Sequence, residues 1–120
     1  MERIEETFNQ RFLREIVLDE DFKKIRACIQ CGECSASCPS GYWSPLRSRK
    51  IIRKALTGVE SVLSDNDIWM CTTCFTCYER CPRQIPVTNI IIKLRNIAVR
   101  EGFMLDPLKM VIKNLVRFGH

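Results

Sequence analysis

The chain has 120 residues, 46% of them hydrophobic, 28% charged and eight of them cysteine, enough for one small domain whose apolar core alone is a limited source of stability. The longest apolar block, residues 89–94, is broken by Lys93 and is far too short to span a bilayer. The charged start "MERIEETFNQRFLREI" lacks the apolar stretch and cleavage site of a secretory leader, which sets the expectation of a cytoplasmic protein whose clustered thiols bind metal or act chemically rather than pair as disulfides.

In chain order, the spacing of Ile4, Phe8, Phe12, Leu13, Ile16 and Val17 predicts a helix over the N-terminal stretch, although "FLREIVL" also suits a short strand. Asp19 or Asp21 is placed to cap a short helix through "FKKIRA". That helix leads into "CIQCGECSASCP", residues 28–39. Next, "SPLRSRKIIRKALTG" predicts a helix with Ser44 as cap, Pro45 in its first turn and Gly58 as its stop, turning Ile51, Ile52 and Ala55 inward with Leu56 close by. Ser64 and Asp67 have capping-box spacing for a helix running through Ile68, Trp69 and Met70 to Cys71.

The run "CTTCFTCYERCP", residues 71–82, then repeats the cysteine spacing of the first. The repeat is expected to be one of ligands rather than of whole supersecondary units. Pro86 opens a helix whose stripe is Val87, Ile90, Ile91, Leu94, Ile97 and Ala98, ending at Gly102. Last, "DPLKMVIKNLVRFG" takes Asp106 as cap, Pro107 in its first turn and Gly119 as stop, with Leu108, Val111, Ile112, Leu115 and Val116 as inner face and Lys109, Lys113 and Arg117 outside.

Each cysteine run has the form Cys-x2-Cys-x2-Cys-x3-Cys-Pro. Thiolates recurring every three residues wrap one iron–sulfur cluster and bind three of its irons, and the fourth ligand comes from elsewhere. In two-cluster ferredoxins the last cysteine of each run serves the other cluster. Carried over residue by residue, that rule assigns Cys28, Cys31, Cys34 and Cys81 to cluster A, and Cys71, Cys74, Cys77 and Cys38 to cluster B. Two 4Fe–4S clusters are thus the expected cofactors, and the crossing of ligands couples folding to metal insertion. Paired Cys-x2-Cys elements also occur in zinc sites, but zinc has no use for three cysteines per run with a displaced fourth before proline. A redox Cys-x-x-Cys would want a βαβ context, which is absent. The formal net charge of +5 treats all eight cysteines as neutral. With each oxidised cluster site carrying roughly −2, the loaded protein would stand near neutrality.

The 32 residues between Cys38 and Cys71 are predominantly helical in pattern, which resembles the α-helical ferredoxin domain. The fold expected is mostly α: residues 1–20 as an N-terminal extension, 21–105 as the domain holding two clusters, and 106–120 as a C-terminal amphipathic helix. Within that group, "CIQCGECSASCPSGYWSPLRSRKIIRKALTG" and "DNDIWMCTTCFTCYERCPRQIPVTNIIIKLRNIA" are similar to the C-type iron–sulfur subunits of CoB–CoM heterodisulfide reductases, chiefly through Trp69-x-Cys71-Thr72-Thr73-Cys74 and "SASCPSG". The resemblance implies an electron-transfer subunit of a methanogenic oxidoreductase complex. It would relay electrons from a flavin- and cluster-containing subunit to the catalytic subunit that reduces the CoM–CoB heterodisulfide, with a hydrogenase or formate dehydrogenase module as a further associate. Two other readings stand beside it: the iron–sulfur subunit of a quinone-linked, fumarate-reductase-like complex, and a structural or nucleic-acid-associated module that metal merely stabilises.

The remaining features take ordinary readings. Gly32 lets backbone approach cluster A where Phe75 shields cluster B, and Ser35, Ser37, Thr72, Thr73 and Thr76 are placed to donate to sulfur and make the two potentials unequal. Arg47, Arg49, Lys50, Arg53 and Lys54 form a solvated basic face, or one that offsets cluster charge or meets an acidic neighbour; nothing accompanies them that would recognise nucleic acid. Tyr42, Trp43, Trp69, Phe75 and Tyr78 are expected to pack round the clusters and keep water out. The C-terminal helix is expected to pack on its own domain or a partner rather than on a membrane surface. The only histidine, His120, suits a frayed end. With every cysteine a ligand, and no P-loop or dinucleotide fingerprint present, no residue is left for catalysis.

Overall fold

The computed structural model describes residues 10–59 and 61–119. Among them the architecture is helical with no strand: α1 (Gln10–Leu18), α2 (Glu20–Lys24), α3 (Glu33–Ala36), α4 (Ser48–Thr57), α5 (Ser61–Ser64), α6 (Thr76–Arg80), α7 (Val87–Arg100) and α8 (Asp106–Phe118), with 3-10 turns at Ile25–Ala27, Ser40–Tyr42 and Asn66–Met70. No helix of the described residues is long and apolar enough to cross a membrane.

The N-terminal alternation resolves as helix, α1, with Phe12 in the core and Ile16 packed against it. Ile4 and Phe8 lie outside the described residues. Asp19 caps α2, its Oδ1 accepting from the N–H groups of Asp21 at 2.8 Å and Phe22 at 3.3 Å. The same carboxylate meets Lys93 Nζ of α7 at 2.7 Å, and Asp21 meets it at 2.8 Å, so a local cap also pins α2 to the longest helix. Burial alone would lift the Asp19 carboxyl, but the Lys93 hydrogen bond and the two N–H donors outweigh it and hold the group below its usual value. Burial alone would lower Lys93, and its two carboxylate partners raise it instead.

A carboxyl lowered on folding contributes stability above its unfolded value and surrenders it as pH falls through the folded one; a raised lysine contributes fully below its unfolded value and loses this as pH rises through the folded one. Asp19→Ala should therefore cost about 1 kcal/mol near neutrality, chiefly through the lost cap. In chemical denaturation the deficit against wild type should shrink both in acid and in strong alkali.

α7 is the spine. Val87, Ile90, Ile91, Leu94, Ile97 and Ala98 are buried as its periodicity predicts, and each large aliphatic side chain so placed stabilises the fold by about 1.5–3 kcal/mol. Gly102, at φ +86°, ends it: its N–H donates to Val99 O and the N–H of Phe103 to Ala98 O. α4 buries Ile51, Ile52 and Ala55 and stops at the left-handed Gly58 as expected, while Leu56 stays exposed.

Two helix starts differ from expectation. α4 begins at Ser48, because Ser44 Oγ donates to Ser40 O and accepts from Leu46 N–H, building the preceding turn instead of capping the helix. The predicted 64–71 helix is a short α5 followed by a 3-10 turn. Ser64 Oγ donates back to Ser61 O, and Asp65, not Ser64, stands at the start of that turn.

The repeat is also wider than its ligands. Buried residues 46, 48, 51, 52 and 55 ahead of and along α4 are matched in spacing by 85, 87, 90, 91 and 94 ahead of and along α7. Each cysteine run is thus followed by a helix laid on the core in the same register, and the run's own short helices, α3 and α6, pack on each other.

α8 departs most. It starts at Asp106 with Pro107 in its first turn, Leu105 standing at the cap position in place of the expected Asp106, and closes at left-handed Gly119. Its apolar face does not pack on the domain: Leu108, Val111, Ile112, Leu115 and Val116 are all exposed.

Candidate metal centre

The two cysteine runs share one backbone design. Cys28 and Cys71 are both extended, each closing a 3-10 turn. Gln30 and Thr73 both take φ +57°, and their N–H groups reach back to Cys28 and Cys71 Sγ, each at 3.4 Å. Gly32 and Phe75 both stand in the left-handed region, at φ +85° and +62°, as the caps that open α3 and α6. The αL turn swings the chain so that the third cysteine of each run, Cys34 or Cys77, points into the core while the second, Cys31 or Cys74, stays exposed.

The last cysteine of each run lies near cysteines of the other run. Cys28, Cys31, Cys34 and Cys81 line one small hollow together with Gly32, Arg49, Arg83, Ile52, Ile85 and Val87. Cys81 comes from the second run and the other three from the first. Around Cys77 the neighbours are Cys71 and Cys38, the latter from the first run. Burial pushes the Cys77 thiol up, the Thr88 hydrogen bond opposes this, and the nearness of Cys71 and Cys38 adds to the rise. Burial likewise pushes Cys34 up to about 11, against the Ser35 N–H and hydroxyl, with Cys77 and Cys28 adding to it. Cys34 and Cys77 thus bring the two sites side by side. Cys74 behaves oppositely: hydrogen bonds from the Thr76 hydroxyl and N–H lower it despite some burial.

These surroundings fit a thiolate-held cluster. Among the described residues no three or more His, Cys, Asp or Glu side chains are gathered closely enough to hold a single ion, whereas four thiols spaced round a hollow suit a larger group. Isoleucine and valine line it with apolar surface, N–H donors meet the sulfurs, and two arginines offset negative charge, the features by which a protein holds and tunes such a centre.

Three arginines outside the cysteine runs fix the loops, and sequence reasoning missed this role in each. Arg83 Nε donates to Ala27 O at 3.1 Å, just ahead of Cys28. Arg95 donates to Ile68 O at 2.7 Å and to Cys71 O at 2.5 Å, with its guanidinium 5.7 Å from the Trp69 ring centroid. Arg47, read as part of a solvated basic face, instead ties the turn after Cys38 through the carbonyls of Gly41, Ser44 and Leu46, and Lys54 pairs with Asp65. Arg95→Ala should cost about 2 kcal/mol, the scale of hydrogen bonds from a charged donor. Arg95→Lys should recover little of the thermal midpoint, since lysine lacks the fork that holds two carbonyls and stacks on an indole.

The aromatic shield is not built as expected. Trp69 packs against the core, but Tyr42 and Trp43 are 86% and 88% exposed, and Phe75 and Tyr78 are also largely open. Aliphatic side chains from α4 and the approach to α7 line the first site in their place. The signal in the sequence was the position of these aromatics in turns rather than on an apolar stripe.

The fold and site together define a small helical protein in which cysteines from both halves of the chain come together, Cys81 with Cys28, Cys31 and Cys34 and Cys38 near Cys77. Residues 24–85 match the 4Fe–4S dicluster domain family, and the chain belongs to that family. It is 45% identical over 96% of its length to the C2 subunit of the H2/formate:CoB–CoM heterodisulfide,ferredoxin reductase of Methanococcus maripaludis, covering 66% of that protein. It is 49% identical over 93% of its length to the C 2 iron–sulfur subunit of the CoB–CoM heterodisulfide reductase of Methanocaldococcus jannaschii, covering 64% of it. With the C subunit of the ferredoxin/F420H2-dependent CoB–CoM heterodisulfide reductase of Methanosarcina acetivorans it shares 51% identity over 80% of the chain and 60% of that protein. The chain therefore spans roughly two thirds or less of the length of these curated relatives.

Proposed function

We propose that this chain is the electron-carrying iron–sulfur subunit of a heterodisulfide reductase complex. Two 4Fe–4S clusters, held by Cys28, Cys31, Cys34 and Cys81 and by Cys71, Cys74, Cys77 and Cys38, supply one-electron redox chemistry when bound. The chain's own work is to present thiolates, exclude water with aliphatic side chains and keep the two centres adjacent through α3 against α6. Residues 21–105 form the cluster-bearing domain in this reading, with helical extensions on either side. The observation that carries it is the hollow in which Cys81 joins the first three cysteines of the other run, in a chain 40–51% identical to proteins named as C subunits of this reductase.

Electrons would come from a flavin- and cluster-containing subunit and leave to the catalytic subunit that reduces the heterodisulfide. The exposed apolar face of α8 suits burial against such a neighbour. The relatives' names pair their complexes with hydrogen, formate or ferredoxin, which supports a hydrogenase or formate dehydrogenase module as the associate; the compartment proposed is the cytoplasm. Anaerobic isolation from the native cell, followed by identification of the bound proteins, tests this. The flavoprotein and the catalytic subunit should co-purify, and a quinone-linked partner in their place would redirect the assignment.

A further inference from the structure

Among the described residues the buried polar side chains are Ser48 and Thr88. Thr88 is the polar member of the inward face of α7, 1% exposed among isoleucine, valine and leucine. Its Oγ1 lies 3.3 Å from Cys77 Sγ, itself buried. With Cys77 as a thiol, either atom could donate; as a thiolate ligand Cys77 carries no proton, so the hydroxyl must donate and the sulfur accept. A hydrogen bond to a ligand sulfur favours the form with more negative charge on it, which is the reduced cluster, and burial in a low-dielectric core strengthens the effect.

The helix that follows the first run carries no hydroxyl at the matching position. In the matched spacing of α4 and α7 the counterpart of Thr88 is Arg49, whose side chain lines the first hollow and whose N–H donates to Ser35 Oγ at 2.9 Å. The helix following the first run therefore presents a cation at that position, and the helix following the second a neutral donor aimed at the sulfur. We infer that Thr88 is a positioning residue for redox chemistry: its hydroxyl donates to Cys77 Sγ and selectively raises the potential of the cluster bound by the second run.

The inference rests on the ligand reading above, and metal content separates the two. In the anaerobically purified full chain, reductive titration followed by electron paramagnetic resonance should give two waves. In Thr88→Val one wave should move to lower potential, its reduction equilibrium about three- to tenfold less favourable, tenfold being 59 mV for one electron. The other wave should stay, and Thr88→Ser should restore the first. Full iron and sulfide content with neither wave moved, or both moved equally, would overturn the inference.

Should Thr88→Val fail to take up iron, proton double-resonance spectra of wild type and Thr88→Ser before and after transfer to D2O decide the matter. Beyond the N–H protons that both clusters share, a further exchangeable proton coupled to the cluster of the second run is the expected result in both proteins, and its absence overturns the assignment. A wild-type chain without iron would overturn the ligand reading first and the role of Thr88 with it.

Discussion

Cys38→Ser should abolish the same cluster as Cys74→Ser, and Cys81→Ser the same cluster as Cys31→Ser. Each replacement should remove about four of the eight irons, since a cube that loses one of its four thiolate ligands is poorly retained. The reason is the crossing of the chain: α3 and α6 lie against each other, Cys81 sits in the hollow of Cys28, Cys31 and Cys34, and Cys38 lies near Cys77. The readout is the electron paramagnetic resonance spectrum of the remaining cluster. A Cys38→Ser spectrum matching Cys31→Ser would mean that each run holds its cluster alone.

Stripping iron from the protein should unfold the site while sparing its spine. Gln30, Thr73, Phe75 and Gln84 are non-glycine residues at φ +52° to +62°, and all four lie within or beside the cysteine runs. A residue held in such a region costs on the order of 1–3 kcal/mol and persists only where its surroundings over-determine it. In the proposed function bound clusters, with the Arg83 and Arg95 ties, supply that constraint. Removal of iron also leaves half-buried Cys34 and buried Cys77 as thiols whose ionisation burial opposes. In hydrogen exchange, amides of residues 28–36 and 71–84 should lose protection in the iron-free chain, while those of α7 around Ile90, Ile91 and Leu94 remain the slowest. A chain that keeps full protection at 28–36 and 71–84 without iron would show that packing alone holds these loops.

Legibility in the sequence follows the physics of each element. α7 was readable end to end because its stripe is long and periodic, Pro86 opens it and Gly102 closes it. Gly58 and Gly119 were readable for the same reason, as left-handed stops. Ser44 and Ser64 misled because a hydroxyl before a helical pattern can equally fold back on the preceding turn, and here both do. The α8 stripe was legible as amphipathic, but its periodicity could not tell which body covers it.

Thr88 escaped notice because a single hydroxyl within an apolar stripe reads as tolerated packing until its partner is known. The signal was present as its place, three residues before Ile91 on an otherwise aliphatic inward face. Arg83 and Arg95 act across 56 and 24 residues of chain, and no local pattern announces such ties. The 4Fe–4S dicluster family was legible because thiolate geometry constrains the cysteine spacing directly, whereas the depth of the repeat, carried by burial along α4 and α7, emerges only from packing.

In the proposed function, thiolates from both runs jointly hold two iron–sulfur cubes around which the fold closes. The most direct measurement of this is iron and acid-labile sulfide per chain in anaerobically prepared protein, with the spectrum of its dithionite-reduced form. About eight of each, with two magnetically coupled signals, is the expected result. A folded chain carrying zinc, or no metal at all, would contradict it.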